Sequence, residues 1–92
     1  MFTIRFTAKM KRDVKRIAKR GKDISKLTVV LDLLALGDQL PEKYQDHPLK
    51  GDMEGYRGCH IEPDWLLVYK IVKDKLVLLA VGTGTHSDLY DE

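Results

Sequence analysis

Alternating hydrophobic and polar residues open the chain. Phe2, Ile4 and Phe6 alternate with polar residues, which predicts a first β-strand with one buried face. The spacing then changes, and apolar residues recur at three- and four-residue intervals, as on one face of a helix. Thr7 is the predicted N-cap of this helix and Gly21 its stop.

A second apolar stripe predicts a second helix. Ser25 is its predicted N-cap, and Gly37 ends it. The stripe has four members: Leu27, Val30, Leu31 and Leu34. Because only residues 21–24 separate the two helices, we expect an antiparallel helical hairpin that covers one face of a sheet.

Strand-like patterns return after an irregular polar stretch between Asp38 and Gly55. Within that stretch Pro48 restricts any strand to an edge position, and both strand and loop stay open for residues 47–51. Residues 55–61 alternate and residues 65–70 are aromatic and aliphatic, which predicts two strands joined by a tight turn. After a polar turn at residues 73–75, the apolar run from Leu76 to Val81 predicts a central strand covered on both faces or nearly so. Residues 82–85 are then expected to loosen the backbone.

The order of strand, two helices and three or four further strands predicts an α+β fold with the helix pair packed on an antiparallel meander. A chain of 92 residues suffices for one modest core, so we predict a single domain over residues 1–92. No apolar run reaches the roughly 18 residues that span a bilayer, and no signal-peptide pattern is present. Cys59 is the single cysteine, which excludes an internal disulfide. A cytoplasmic protein with no membrane partner is the expectation.

Charge is distributed unevenly along the chain. Residues 1–26 carry a formal charge of +8 and residues 27–92 a charge of −6, which together make the net charge of +2. A basic first third suits phosphate or an acidic partner. A solvated helix face explains the same pattern, so the charge alone argues little for nucleic acid.

Three histidines each lie beside a predicted turn or strand end: His47, His60 and His86. Asp64 adds a carboxylate in the predicted hairpin turn. An imidazole with a pKa of about 6.5 both takes and gives a proton near neutral pH. RNA carries its own nucleophile in the 2′-hydroxyl, so a base, an acid and cations are sufficient to cut it.

Lys50 and Arg57 are candidate phosphate contacts, and Trp65 and Tyr90 are candidate platforms for stacked bases. Each has an ordinary alternative. Trp65 fits the core, Arg57 fits a surface ion pair, and Tyr90 fits a residue that packs on the sheet. A histidine at a strand end is likewise more often a surface residue than a catalyst.

The histidines and Asp64 are also acceptable metal ligands, but no tight ligand spacing such as HExxH is present. Acid–base chemistry without metal or cofactor therefore ranks above a metal site. Cys59 alternates to the face opposite His60, which favours a small buried thiol over a nucleophile.

Three sequence blocks stand in the order found in one toxin family: DHPLKG at residues 46–51, HIEPDWLLVYK at residues 60–70 and GTGTH at residues 82–86. Over nearly its whole length the chain resembles the YafQ branch of the RelE/ParE toxin superfamily. The resemblance implies a small RelE-like domain, with two N-terminal helices on a curved, mainly antiparallel sheet that the first strand joins at its end. It also implies a type II toxin: an endoribonuclease that cuts mRNA on the translating ribosome and is neutralised by a cognate antitoxin.

Carried over by position, the family's acid–base residues are His47, His60, Asp64 and His86, with Trp65 and Tyr90 nearby. Tyr90 stands where phenylalanine is expected in close relatives, a change that preserves stacking. The acidic pair that follows it, Asp91 and Glu92, opposes RNA binding unless the tail points away.

The mechanistic hypothesis is attack of the 2′-hydroxyl on the adjacent phosphate, which leaves a 2′,3′-cyclic phosphate and a 5′-hydroxyl. His86 is the first choice for the acid. His60 or His47 is the base, and Asp64 either assists it or holds the other imidazole in its tautomer. Lys50 and Arg57 would stabilise the charged phosphorane.

Two other functions remain open from the sequence. A ParE-like gyrase poison shares the scaffold but uses no such set of histidines. A non-catalytic nucleic-acid-binding module would depend on the basic first helix instead. Even in a toxin this helix can contact either ribosomal RNA or an acidic antitoxin segment.

Overall fold

The computed structural model describes residues 1–90, so the acidic pair Asp91 and Glu92 lies outside the described residues. Five strands and three helices follow one another along residues 1–90: β1 (Thr3–Phe6), α1 (Ala8–Lys19), α2 (Ile24–Ala35), β2 (His47–Pro48), β3 (Arg57–Glu62), β4 (Trp65–Val72), β5 (Val77–Gly84) and α3 (His86–Tyr90). Short 3-10 turns lie at Glu42–Tyr44, Gly51–Met53 and Lys73–Lys75.

The strands form one sheet in the order β1-β5-β4-β3-β2. β1 runs parallel to β5, with Thr3 opposite Val77, and the other neighbours are antiparallel. The predicted α+β fold is confirmed, with a mainly antiparallel sheet that the first strand joins at one edge. The question left open at Pro48 is also answered, because β2 is a two-residue strand at the opposite edge.

The helix boundaries follow local signals, with one correction. Thr7 caps α1 by accepting a hydrogen bond from the Met10 amide at 3.0 Å, and Gly21 follows the helix at a φ of 86°. Ser25 is not the cap of α2. Asp23 is, and its carboxylate accepts from the Ser25 amide at 3.0 Å. Asp and Ser are equally good caps, and α2 begins one residue before Ser25.

β5 differs from its predicted extent at both ends. Leu76 has a φ of 52° and is 57% exposed, so the strand begins at Val77. It then continues to Gly84, because residues 82–84 pair with β4. A shift in register between Val68 and Tyr69 of β4 leaves one β5 residue unmatched. The strand is central, but only one of its faces is fully covered over residues 77–81.

The core lies between the helix pair and one face of the sheet. Met10 and Ile17 of α1 pack there, and α2 contributes the predicted stripe. The sheet supplies alternate residues of its strands: Cys59, Ile61, Trp65, Leu67, Tyr69, Leu78 and Ala80. The buried thiol predicted for Cys59 is confirmed. Among the described residues no helix is long and apolar enough to cross a membrane.

Candidate active site

The three histidines meet on the sheet face that points away from the helices. A cleft of about 120 Å³ is lined there by His47, Gly58, Cys59, His60, Leu66, His86 and Tyr90; we call it the histidine cleft. Strand pairing builds it, since His47 lies opposite Gly58, and His60 lies opposite Leu66. The His60 and His86 ring centroids are 5.9 Å apart. Residues separated by 39 positions in sequence are thereby brought together.

His47 and His60 are held in the same way. The Nδ1 of His47 lies 2.7 Å from the carbonyl oxygen of Gln45, and the Nδ1 of His60 lies 3.2 Å from that of Pro63. A carbonyl oxygen only accepts, so in both rings Nδ1 carries the hydrogen and donates it. In the neutral imidazole the lone pair is then on Nε2, which is the arrangement of a general base.

His86 is held differently, by a carboxylate. Its Nδ1 lies 3.1 Å from Oδ1 of Asp64, and its amide donates to the same oxygen at 3.3 Å. These hydrogen bonds lower the pKa of Asp64, so the carboxylate is ionised near neutral pH. The carboxylate accepts from Nδ1–H, which leaves Nε2 as the ring nitrogen of His86 that is available for proton transfer. Asp64 is therefore hydrogen-bonded to the predicted acid, and its role in the reaction stays a prediction.

The five-residue helix that carries His86 is fixed at its start by a capping box. The Thr85 hydroxyl accepts from the Asp88 amide at 3.1 Å, and the Asp88 carboxylate accepts from the Thr85 amide at 2.9 Å. Arg20, just past the end of α1, donates to both carboxylate oxygens of Asp88 at 2.6 and 3.1 Å. These bonds hold the pKa of Asp88 well below its usual range. The T-x-x-D pattern was visible in the sequence, but Arg20 had no local signal.

A buried aspartate joins α1 to the strand beneath this helix. Asp13 is 3% exposed, and its carboxylate accepts from the amide of Thr83 at 3.1 Å. Lys9 and Arg16 each donate to it at 2.7 Å from the same helix. Part of the basic first helix is therefore internally neutralised. Sequence reasoning counted Asp13 only as a charge.

Trp65 corrects one of the stacking predictions. It lies on the helix side of the sheet, is 1% exposed, and donates from Nε1 to the Thr83 hydroxyl at 2.9 Å. No face of the ring is open to a base, so the prediction of an RNA platform is wrong and the core alternative is confirmed. Tyr90 is half-buried and lines the histidine cleft, with its ring centroid 6.1 Å from that of His86.

Arg57 also lies outside the histidine cleft. It alternates to the face of Cys59, and its Nε donates to Asp46 at 3.4 Å. Asp46 also accepts from the Tyr69 hydroxyl at 2.6 Å. The ion-pair alternative is the one that the structure supports for Arg57. Lys50 is exposed and follows β2 by two residues.

The comparison with known proteins agrees with this architecture. The model of a family described as the bacterial toxin of a type II toxin–antitoxin system, YafQ, matches residues 2–91. The chain belongs to the YafQ family of toxins. The resemblance predicted from the three sequence blocks is confirmed.

Relatives in the YafQ family cover almost the whole chain. The mRNA interferase toxin YafQ of Escherichia coli strain K12 is 44% identical over 88 residues, which is 95% of this chain and 94% of that protein. The toxin in the E. coli DinJ–YafQ complex superimposes with a TM-score of 0.89 at 40% identity, over 98% of this chain and 99% of the other. A metal-bound toxin from Helicobacter pylori has a TM-score of 0.91 at 44% identity, over 97% and 99%.

The metal in that relative raises the question of a metal site here. Within residues 1–90, no group of three or more His, Cys, Asp or Glu residues is arranged to hold a metal ion. The histidines share a cleft, with their Nδ1 atoms bonded to two carbonyl groups and one carboxylate and their Nε2 atoms left open. The described residues do not form a ligand set, and the expectation of metal-independent chemistry stays a prediction.

Proposed function

We propose that this chain is an mRNA interferase, a ribosome-dependent endoribonuclease toxin that a cognate antitoxin neutralises in the cytoplasm. Its family membership and the activity for which the E. coli relative is named support the reaction class. The DinJ–YafQ complex of a relative supports the antitoxin partner. The observation that carries the proposal is the difference between two neighbouring imidazoles: His60 is held by a carbonyl group and His86 by a carboxylate.

These two environments divide the work of acid–base cleavage. The neutral His60 takes the proton of the 2′-hydroxyl at Nε2, and the 2′-oxygen forms a bond to the adjacent phosphorus. The bond between phosphorus and the 5′-oxygen breaks as the protonated His86 donates a proton to that oxygen. The products are a 2′,3′-cyclic phosphate and a 5′-hydroxyl. Asp64 keeps the His86 ring oriented through its hydrogen bond to Nδ1.

His47 and the cations have supporting roles. His47 presents Nε2 in the same tautomer as His60, so it either replaces His60 as base or donates to the phosphate when protonated. Lys50 is the cation that we assign to the phosphorane, because its exposed side chain follows β2. Arg57 is assigned to holding Asp46 and the loop before His47, in place of the phosphate role expected from sequence. Tyr90 lies where it can stack on a base beside His86.

The experiment is cleavage of a 5′-labelled mRNA, with and without translating ribosomes, by the wild type and His86→Ala. We expect ribosome-dependent cleavage, a 2′,3′-cyclic phosphate end, and loss of cleavage in the variant. Lys75→Ala, at the opposite end of the sheet, is the matched control and keeps full activity. In a parallel arm the toxin is treated with EDTA and desalted before it is added to the ribosomes, which keep their Mg²⁺. Cleavage that EDTA abolishes and added metal restores would replace the acid–base mechanism with a metal-dependent one.

The cleavage assay, together with a gyrase supercoiling assay, distinguishes an mRNA interferase from a ParE-like gyrase poison. A folded protein that cuts no RNA under any condition, yet blocks DNA supercoiling by gyrase, would establish the ParE-like function instead. Full activity of His86→Ala would remove His86 from the mechanism.

A further inference from the structure

A second and larger cleft opens beside the histidine cleft. Its volume is about 520 Å³, and its walls come from α2, the 3-10 turn Glu42–Tyr44 and the turn between β3 and β4. Six residues define its chemistry: Lys26, Lys43, Tyr44, Gln45, His60 and Pro63. We call it the Tyr44 cleft. Its volume lies in the range of about 300–1,000 Å³ that is usual for small-molecule sites.

The Tyr44 cleft is continuous with the catalytic groups. His60 lines both clefts. The carbonyl that holds the His60 ring belongs to Pro63, and the carbonyl that holds the His47 ring belongs to Gln45; both residues line the Tyr44 cleft. An RNA strand whose reacting phosphate lies at His60 therefore has this cleft beside the bond that is cut.

The walls combine an aromatic ring with cations. Nζ of Lys43 lies 5.1 Å from the centroid of the Tyr44 ring. Among residues 1–90 the carboxylate that lines the cleft is Glu62, which accepts from Lys22 at 2.9 Å and from Lys26 at 2.7 Å. These two bonds lower the pKa of Glu62, and the two ammonium groups neutralise its charge. The remaining cation beside a flat ring is the combination that single-stranded nucleic acids use.

We propose that the Tyr44 cleft is a nucleotide subsite. It binds the nucleotide next to the cleaved phosphodiester, with the base against the Tyr44 ring and a phosphate at Lys43. The proposal deepens the proposed function and rests on it, because the strand reaches this cleft only when its phosphate lies at the histidines. Continuity with the histidine cleft and the flat ring of Tyr44 favour RNA over a segment of the antitoxin, which is a different class of occupant.

The test uses a ribosome-free binding measurement. The probe is an RNA trinucleotide with a 2′-O-methyl group at the attacking position, which binds but is not cut. Its dissociation constant and the backbone amide shifts of the ¹⁵N-labelled protein are measured together. We expect shifts at residues 43–45 as well as at the histidines.

Three variants separate stacking from folding. Tyr44→Leu should weaken binding by about tenfold, since base–aromatic stacking gives about 1–3 kcal/mol and 1.4 kcal/mol is tenfold. Tyr44→Phe keeps the ring and should keep the affinity, which excludes a loss caused by unfolding. Lys43→Ala should weaken binding, whereas Lys73→Ala, in a similar 3-10 turn at the other end of the sheet, should not.

Three results would overturn the subsite. They are an unchanged affinity in Tyr44→Leu, shifts confined to the histidine cleft, and shifts at residues 43–45 that the antitoxin produces but the trinucleotide does not. The same experiments distinguish failure of the subsite from failure of the proposed nuclease function, because binding and cleavage are measured separately. A wild type that binds the trinucleotide in the Tyr44 cleft but cuts no mRNA would keep the subsite and refute the nuclease. Cleavage of mRNA by the wild type, with trinucleotide affinity unchanged in Tyr44→Leu, would keep the nuclease and refute the subsite.

Discussion

Thr83→Val tests the buried polar connection beneath the active site. Thr83 is fully buried, and its hydroxyl donates to the carbonyl of Leu66 at 2.6 Å while it accepts from the Trp65 indole at 2.9 Å. Valine has almost the same shape but neither a donor nor an acceptor. The substitution therefore leaves the indole N–H buried without a partner and removes the donor to Leu66.

The expected loss of unfolding free energy follows from these two bonds. A buried donor left without a partner costs about 1–3 kcal/mol, and a lost neutral hydrogen bond costs about 0.5–1.5 kcal/mol. The sum is about 2–4 kcal/mol, a large share of the roughly 5–15 kcal/mol that stabilises a domain. For a domain of this size it corresponds to a fall in Tm of roughly 10–30 °C.

The assay is urea unfolding followed by tryptophan fluorescence and by circular dichroism. Trp65 is the single tryptophan of the chain, so fluorescence reports directly on this site. Thr83→Ser is the matched control: it keeps the hydroxyl and loses one methyl group, at a cost of about 1 kcal/mol. Equal stability of the valine and serine variants would show that the hydroxyl connection contributes nothing, and the reasoning would fail.

Three other predictions concern the groups around the site. Arg20→Ala should loosen α3 and lower the cleavage rate by about tenfold with the fold intact. Arg20→Lys should restore part of the rate, because lysine makes one bond to Asp88 where arginine makes two. Equal cleavage rates in both variants and the wild type would refute a role for the Arg20–Asp88 pair. Because Asp88 has a lowered pKa in the folded state, its stabilisation is complete above its unfolded pKa of about 3.9 and is lost as pH falls towards the folded value. Urea midpoints between pH 6 and pH 3 should therefore fall more steeply for the wild type than for Asp88→Asn, and parallel curves would contradict this. Burial raises the pKa of Cys59 to about 12, so iodoacetamide at pH 8 should modify the thiol in urea but not in the native protein, as read by mass spectrometry.

Local signals explain what could be predicted from the sequence. Thr7 and the glycines after each helix act within one turn of the residues that they cap, so their positions in the chain were enough. The hairpin turn at residues 62–64 was equally local. Ser25 failed as a cap because Asp23, two residues earlier, offers the same chemistry.

The errors at the site come from sheet geometry. Trp65 alternates with Leu67 and Tyr69 onto the helix side, but β4 is buried on both faces over residues 65–69, so the sequence pattern does not show which face Trp65 occupies. Arg57 was placed at the phosphate because of its type, whereas its face and its bond to Asp46 depend on pairing across the sheet. Asp13 and Thr83 are 70 residues apart, so their bond belongs to the tertiary structure alone.

The position of β5 has a consequence for how a toxin comes into being on a ribosome. β5 lies between β1 and β4, and it follows every other strand in the order of synthesis. Until it emerges, β1 has no neighbour in the sheet, and His86, which comes still later, is not yet opposite His60. Contacts between such distant segments form slowly, because a long loop must close first. The histidine cleft is therefore incomplete until both β5 and His86 have emerged from the ribosome.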